Sequence, residues 1–503
     1  MVAAPTTDTT ARATGTAATE HFDVLVVGAG ISGVGAAWHL RHRFPGKRFV
    51  VLESQDGFGG TWRTHRYPGI RSDSDLFTFG YRFKPWMGKP IATAEEILAY
   101  MGEVIDENGL APHIRYGHAI ERASWSQDDA RWTLEGRRGD SGEAFRITGD
   151  FLWMCQGYYR HARGYTPHWP GMDRFGGTIV HPQQWPDDLE LEGKRVVVIG
   201  SGATAATLVP AIAGRCAHVT MLQRSPTYYI TGRNANELAQ TLRELEIPDQ
   251  WTHEIVRRKI LYDQRKFTRR TFTEPEAVKA ELLAGVRAHL GDDFDIERHF
   301  TPGYRPWRQR IAFIPDGDLF RAIAAGTASV VTDHIEAFDA SGIRLASGDR
   351  LEADVVVTAT GFDLNVLGDI AFEIDGKPLA FQDTVTWRGT LFTGVPNMAW
   401  VFGYFRASWT LRADLVSDFV CRLLEHMQVR GARRVVPRLR PGDEGMPLLP
   451  WVDDEDFNPG YVHRGIHLLP KQGDRQPWRH TQDYWADSVE LPQADLDDGL
   501  HYS

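Results

Sequence analysis

The sequence predicts an α/β fold made of two strand–glycine turn–helix units with a helical insertion in the second. Two observations carry this reading. "FDVLVVGAGISGVGAAWHL" runs an apolar strand, Val24 to Val27, through Gly28, Gly30 and Gly33 into an alanine-rich helix. "KRVVVIGSGATAATLVPAI" repeats the pattern at Gly200 and Gly202, with Ala205 in the third small position and Thr204 beside it. Such a turn lets the chain reverse tightly, brings backbone N–H groups to a pyrophosphate and packs the helix on the strand. The fold class is therefore α/β with two Rossmann-like dinucleotide-binding domains, the two-dinucleotide flavoprotein arrangement, plus a helical insertion.

The ends of the following strands separate the two sites. "RFVVLES" ends at Glu53, about 20 residues past Gly33, where an acid accepts hydrogen bonds from an intact ribose, as in FAD or NAD. "HVTMLQRSP" carries Arg224 and Ser225 at the corresponding place, where a 2'-phosphate would lie, so the second site favours NADPH.

The 503 residues suffice for about three domains. A net charge of -10 with interspersed signs argues against a nucleic-acid partner, which needs a concentrated basic face. Cys155, Cys216 and Cys421 are far apart, which excludes a redox-active cysteine pair, a disulfide framework and a thiolate metal site and fits a cytoplasmic setting. No metal and no membrane span are expected. Residues 1–20 read as a disordered tail rather than a signal peptide, because they lack an apolar core region.

Two longer signatures give the family. Phe175, Gly177, His181, Trp185, Pro186 and Asp187 match FxGxxxHxxxWP with a following acid, and Gly59, Gly60, Trp62, Tyr67, Pro68, Gly69 and Asp73 match GGxWxxxxYPGxxxD. On these residues the chain resembles the type I Baeyer-Villiger monooxygenases, class B flavoproteins, and within them the branch of the ethionamide-activating enzymes. Arg406 in "GYFRASWT" departs from that branch, where Thr-Asn is expected.

The resemblance implies an NADPH- and dioxygen-dependent conversion of ketones to esters or lactones with FAD as cofactor, and sulfide oxidation as a further activity. It places Arg310 as the cation that stabilises developing oxyanion charge, with Arg308 as a near neighbour, Asp73 as the acid that orients it, and His181 as a hinge element coupling the domains. Gly60, Thr61, Trp62, Arg71, Asp73 and Phe79 become candidate cofactor contacts, Trp62 against the flavin. Two alternatives stay open: an N- or S-oxygenating flavin monooxygenase, and a non-catalytic carrier on the same fold.

The expected organisation is an FAD-binding domain from residues 20–160 and 385–503, an NADP-binding domain from 161–232 and 310–385, and a helical subdomain over 233–309 that packs on the NADP domain. Within the insertion, Thr273 and Glu276 read as a capping box, Pro275 as the first turn, and Val278, Leu282, Val286 and Leu290 as one apolar face closed by Gly291. Trp451 to Gln482 reads as an ordered loop region over the cleft.

Overall fold

The computed structural model describes residues 19–139 and 141–503. The tail expected over 1–20 lies, up to residue 18, outside the described residues, and Glu20 already opens the first strand.

Glu20–Val27 lies between Phe49–Leu52 and Glu143–Met154, parallel to both. Val24, Leu25 and Val26 are wholly buried, as a strand covered on both faces requires. The sheet continues antiparallel through Arg131–Arg138 and His118–Ser126, and Met398–Trp400 adds to it in parallel. A second, five-stranded sheet is parallel throughout: Ala328–Thr332, His218–Gln223, Arg195–Ile199, Val355–Thr358 and Thr178–Val180 in spatial order.

The chain passes between the sheets on two adjacent strands, Tyr159–Gly164 outward and Phe362–Leu364 back, paired antiparallel. The return begins at the Gly361 turn, well before the domain boundary expected near residue 385. Ala371–Ile374, expected with the second unit, hydrogen-bonds to His118–Ser126 in the first sheet.

The insertion forms four helices, Glu237–Glu244, Asp249–Thr273, Pro275–Leu290 and Ile296–Phe300. It bridges both units rather than packing on the second alone. Val278, Leu282 and Val286 bury the helix Pro275–Leu290 against the second unit, with Leu290 half-buried. The long helix Asp249–Thr273 reaches the first: Arg257 donates to the carbonyls of Phe77 (2.9 Å), Thr78 (3.2 Å) and Gly80 (3.1 Å), and His253 accepts the Trp86 N–H (3.1 Å). The expected capping box is absent. Thr273 sits in the last turn of the preceding helix, bonded to the Arg269 carbonyl, and only Glu274 separates the two helices. Pro275 needs no N–H partner, so this tight junction tolerates an N-cap without a side-chain bond.

Candidate active site

One cavity of 620 Å³ runs between the two glycine turns, within the roughly 300–1,000 Å³ common for cofactor and substrate sites. From the first turn, Gly28 and Gly30 form its wall. Gly28 has φ +98°, and a Cβ there would stand 2.7 Å from the Cys155 carbonyl oxygen. Gly33 lies behind the wall, where a Cβ would meet the Gly28 carbonyl oxygen at 1.8 Å, so only glycine lets the helix Ile31–Arg43 close on the turn. The helix N-terminus then faces the cavity with unpaired backbone N–H groups.

Glu53 is buried at the end of its strand and is itself held in place. One carboxylate oxygen accepts the Ala29 N–H at 2.7 Å and the other the Gln55 N–H at 2.9 Å. A carboxylate has about four acceptor sites, so capacity remains for ribose hydroxyls. Gly-only backbone approach, a helix N-terminus and a fixed acid together fit an FAD-type dinucleotide.

The second signature supplies the next stretch of wall: Gly60, Thr61, Trp62, Arg71, Asp73 and Phe79 all line the cavity. Trp62 meets Phe79 edge-on at 5.7 Å, and Thr61 accepts the Tyr159 hydroxyl at 2.7 Å. Arg71 is engaged across the units: its guanidinium grips the Asp318 carboxylate at 2.5 and 3.2 Å, at the start of the helix Asp318–Ala324.

From the second turn, Gly202 and Thr204 line the same cavity, while Gly200 and the buried Ala205 pack the turn itself against Ala359 and the core. Arg224 and Ser225 lie outside it, exposed past the end of His218–Gln223. That is where the ribose end of a dinucleotide on this turn emerges.

Arg310 lines the same cavity. Burial works against its charge, but the phenol oxygens of Tyr461 and Tyr158 and the Asp73 carboxylate outweigh it and hold the guanidinium above its usual range. It is therefore a permanent cation. Among the described residues no ion pair joins Asp73 to Arg310, so the expected direct orienting contact is absent and Asp73 acts on the cation through space. Arg308, the near neighbour, does not line the cavity.

His181 sits beside a small side pocket with His65 and Thr204. Burial lowers its pKa, opposed by its bond to Gly361 and by Asp363, so the ring is neutral near pH 7. Nδ1 accepts the Gln183 N–H at 3.1 Å, which leaves the proton on Nε2, facing the Gly361 carbonyl at 3.2 Å.

Sequence reasoning missed Tyr158, in the turn before Tyr159–Gly164, Trp409, which opens the helix Trp409–Val429, and Tyr461, in the short helix Gly460–Gly465; none stands in a local pattern. Tyr158 stacks on Trp409 at 5.1 Å and lies 6.0 Å from the Tyr461 ring. Among the described residues no cluster of metal-ligand type occurs, and no helix is long and apolar enough to cross a membrane.

Comparison with known proteins matches residues 26–85 to a family model described as NAD(P)-binding Rossmann-like domain and residues 90–238 to one described as Flavin-binding monooxygenase-like. The FAD-containing monooxygenase EthA of Mycolicibacterium smegmatis is 45% identical over 488 residues, 96% of this chain and 98% of the relative. The chain belongs to the FAD-containing monooxygenases. EthA of Mycobacterium tuberculosis matches at 45% over 490 residues, covering 96% of this chain and 98% of its own length. Among solved structures, an oxidized steroid monooxygenase bound to NADP superposes with TM-score 0.69 at 25% identity, over 84% of this chain and 88% of that one. OTEMO in complex with FAD and NADP shares the fold, with TM-score 0.73 at 19% identity over 96% of this chain and 100% of that one. For an FAD-containing monooxygenase, the cavity walled by both glycine turns is the place where the cofactor and its reductant meet.

Proposed function

We propose that this monooxygenase is NADPH-dependent and inserts one oxygen atom of dioxygen beside a ketone carbonyl, giving an ester or lactone. The observation that carries the reading is Arg310: a permanent cation in a largely apolar cavity lined from both dinucleotide turns. When bound, FAD supplies the redox chemistry and the activation of dioxygen.

The chain's own residues supply placement and charge. Gly28, Gly30 and the helix N-terminus behind them hold a pyrophosphate, and Glu53 takes the ribose hydroxyls. Gly202 and Thr204 receive NADPH, and Arg224 with Ser225 binds its 2'-phosphate. Trp62, Phe79 and Trp409 exclude water, which strengthens every charge inside. Arg310 stabilises oxygen atoms that become negative during transfer, and the nearby Asp73 biases its orientation. His181 couples the crossing strands to the NADPH turn.

Sulfide oxidation is a second activity of the same site, since an activated oxygen also attacks a soft sulfur. The Trp185-Pro186 ending favours the ketone reading over an N-oxygenating enzyme. The test is product analysis: the purified yellow enzyme is incubated with NADPH, air and linear, cyclic and aryl ketones. Products heavier by one oxygen and hydrolysable as esters support the proposal; NADPH consumption with sulfoxides and N-oxides alone would reject it.

A further inference from the structure

Two loop segments meet beside Arg310. The Asn458 N–H donates to the Arg308 carbonyl at 2.9 Å. The Asp456 carboxylate receives Arg305 at 2.6 Å and Arg406 at 2.9 Å, and Phe272 lies under both guanidinium groups at 4.3 and 5.2 Å. This clasp fixes the segment carrying Arg310 against the one carrying Tyr461, and both side chains line the cavity.

The Tyr461 hydroxyl is shielded from solvent and has no hydrogen-bond partner among the described residues. Buried polar groups are overwhelmingly partnered, so a shielded hydroxyl on the wall of the cavity points to a partner that a ligand brings. Tyr461 faces Arg310, and a guanidinium only donates. The guanidinium can therefore meet only the lone pairs of the phenol oxygen, which leaves the O–H free to turn toward the cavity.

We propose that Tyr461 is a substrate-contacting residue: its hydroxyl donates a hydrogen bond to the carbonyl oxygen of the ketone, beside Arg310. The assignment rests on the ketone reading above. Two donors then converge on the oxygen that gains negative charge, one charged and one neutral. A sulfide offers no such oxygen, so Tyr461 discriminates between the two substrate classes.

The experiment compares Tyr461→Phe with the parent holoenzyme, using cyclohexanone and methyl phenyl sulfide. For the ketone, kcat/KM is expected to fall about tenfold, the loss of one hydrogen bond to a charge-developing group, while the sulfide value stays within about twofold. Equilibrium dialysis of cyclohexanone against the oxidised holoenzyme, without NADPH, is expected to show Kd raised by up to about tenfold. Flavin content stays at the parental value and Tm close to it, because the hydroxyl makes no hydrogen bond of normal length to the described residues. Equal losses for both substrates, an unchanged ketone Kd, or loss of flavin would each overturn the proposal. A parent enzyme that oxygenates no ketone would overturn the ketone reading instead, and the dialysis arm would still decide whether Tyr461 holds a carbonyl.

Discussion

His181 Nε2 lies 3.2 Å from the carbonyl oxygen of Gly361, and the same carbonyl accepts the Tyr165 N–H at 3.0 Å. Three segments thus meet on one acceptor: the end of the outward crossing, the turn that starts the return crossing, and the loop after Thr178–Val180 in the second sheet. An imidazole here transmits position rather than protons, since its one proton is committed to that carbonyl.

His181→Ala should therefore leave FAD bound and NADPH oxidation running while ester formed per NADPH falls. Loss of one net hydrogen bond, ~0.5–1.5 kcal/mol, corresponds to a change of about two- to tenfold. Gly164→Ala offers an independent route, because a Cβ at 164 would stand 1.8 Å from the His181 ring and displace it. Product yield per NADPH measured for both variants decides; parental coupling in both would remove His181 from this role.

Both sheets were legible in the sequence because valine runs, glycine turns and strand-end residues Glu53 and Arg224 are local signals. The return crossing at Gly361 was legible, but the domain boundary was set too late, near 385, because Ala371–Ile374 is a short strand beside an Asp375-Gly376 turn, with nothing to say which sheet it joins. One helix of the insertion, Pro275–Leu290, was readable from periodicity, but the reach of Arg257 to the carbonyls at 77–80 is a tertiary fact. Arg406 stood out as a departure without a role. The structure makes it one arm of the Asp456 clasp, a partner some fifty positions away along the chain. Asp73 shows the opposite failure: its place in a signature put it in the cavity but could not give its distance from Arg310.

Arg224→Ala should raise KM for NADPH far more than for NADH. A charge-assisted bond to the 2'-phosphate contributes roughly 1.5–3 kcal/mol, about ten- to a hundredfold in affinity. Arg224 is exposed and makes no side-chain hydrogen bond or ion pair among the described residues, so Tm should not change. Steady-state kinetics with both nucleotides tests this, and equal losses for the two would assign Arg224 a structural role.

Acid should destabilise the fold between about pH 6.5 and 4. Burial pushes His39, His65, His253 and His480 down to about 4, against an unfolded value near 6.5. Around pH 5 the unfolded chain binds four protons there that the native state refuses. Burial pushes Asp75 up to about 7 and Asp414 up to about 6, so the native state holds two protons the unfolded chain lacks. The unfolded state binds about two more protons net, so stability rises with pH at about 2.7 kcal/mol per unit in this window. Melting followed by circular dichroism from pH 7 to 4.5 should show Tm falling with acid. Asp414→Asn removes one opposing proton and should steepen the slope; a flat profile would contradict the assignment of these buried groups.

Arg310→Ala should abolish ketone oxygenation while FAD stays bound, since Arg310 is not part of the glycine turn that receives the pyrophosphate. Removing one preorganised donor to a developing oxyanion typically costs about 100- to 1,000-fold in rate, and this donor carries full charge. Arg310→Lys keeps the charge but not the planar fork, so it should recover only part of the rate. Asp73→Asn should act in the same direction but more weakly, because no ion pair ties it to Arg310 and only a through-space field is lost. Rates per bound flavin, with product analysis, separate these variants. Ketone conversion by Arg310→Ala at near-parental rates would reject Arg310 as the oxyanion-stabilising cation. An Asp73→Asn loss as deep as that of Arg310→Ala would mean that the carboxylate closes onto the guanidinium when substrate binds.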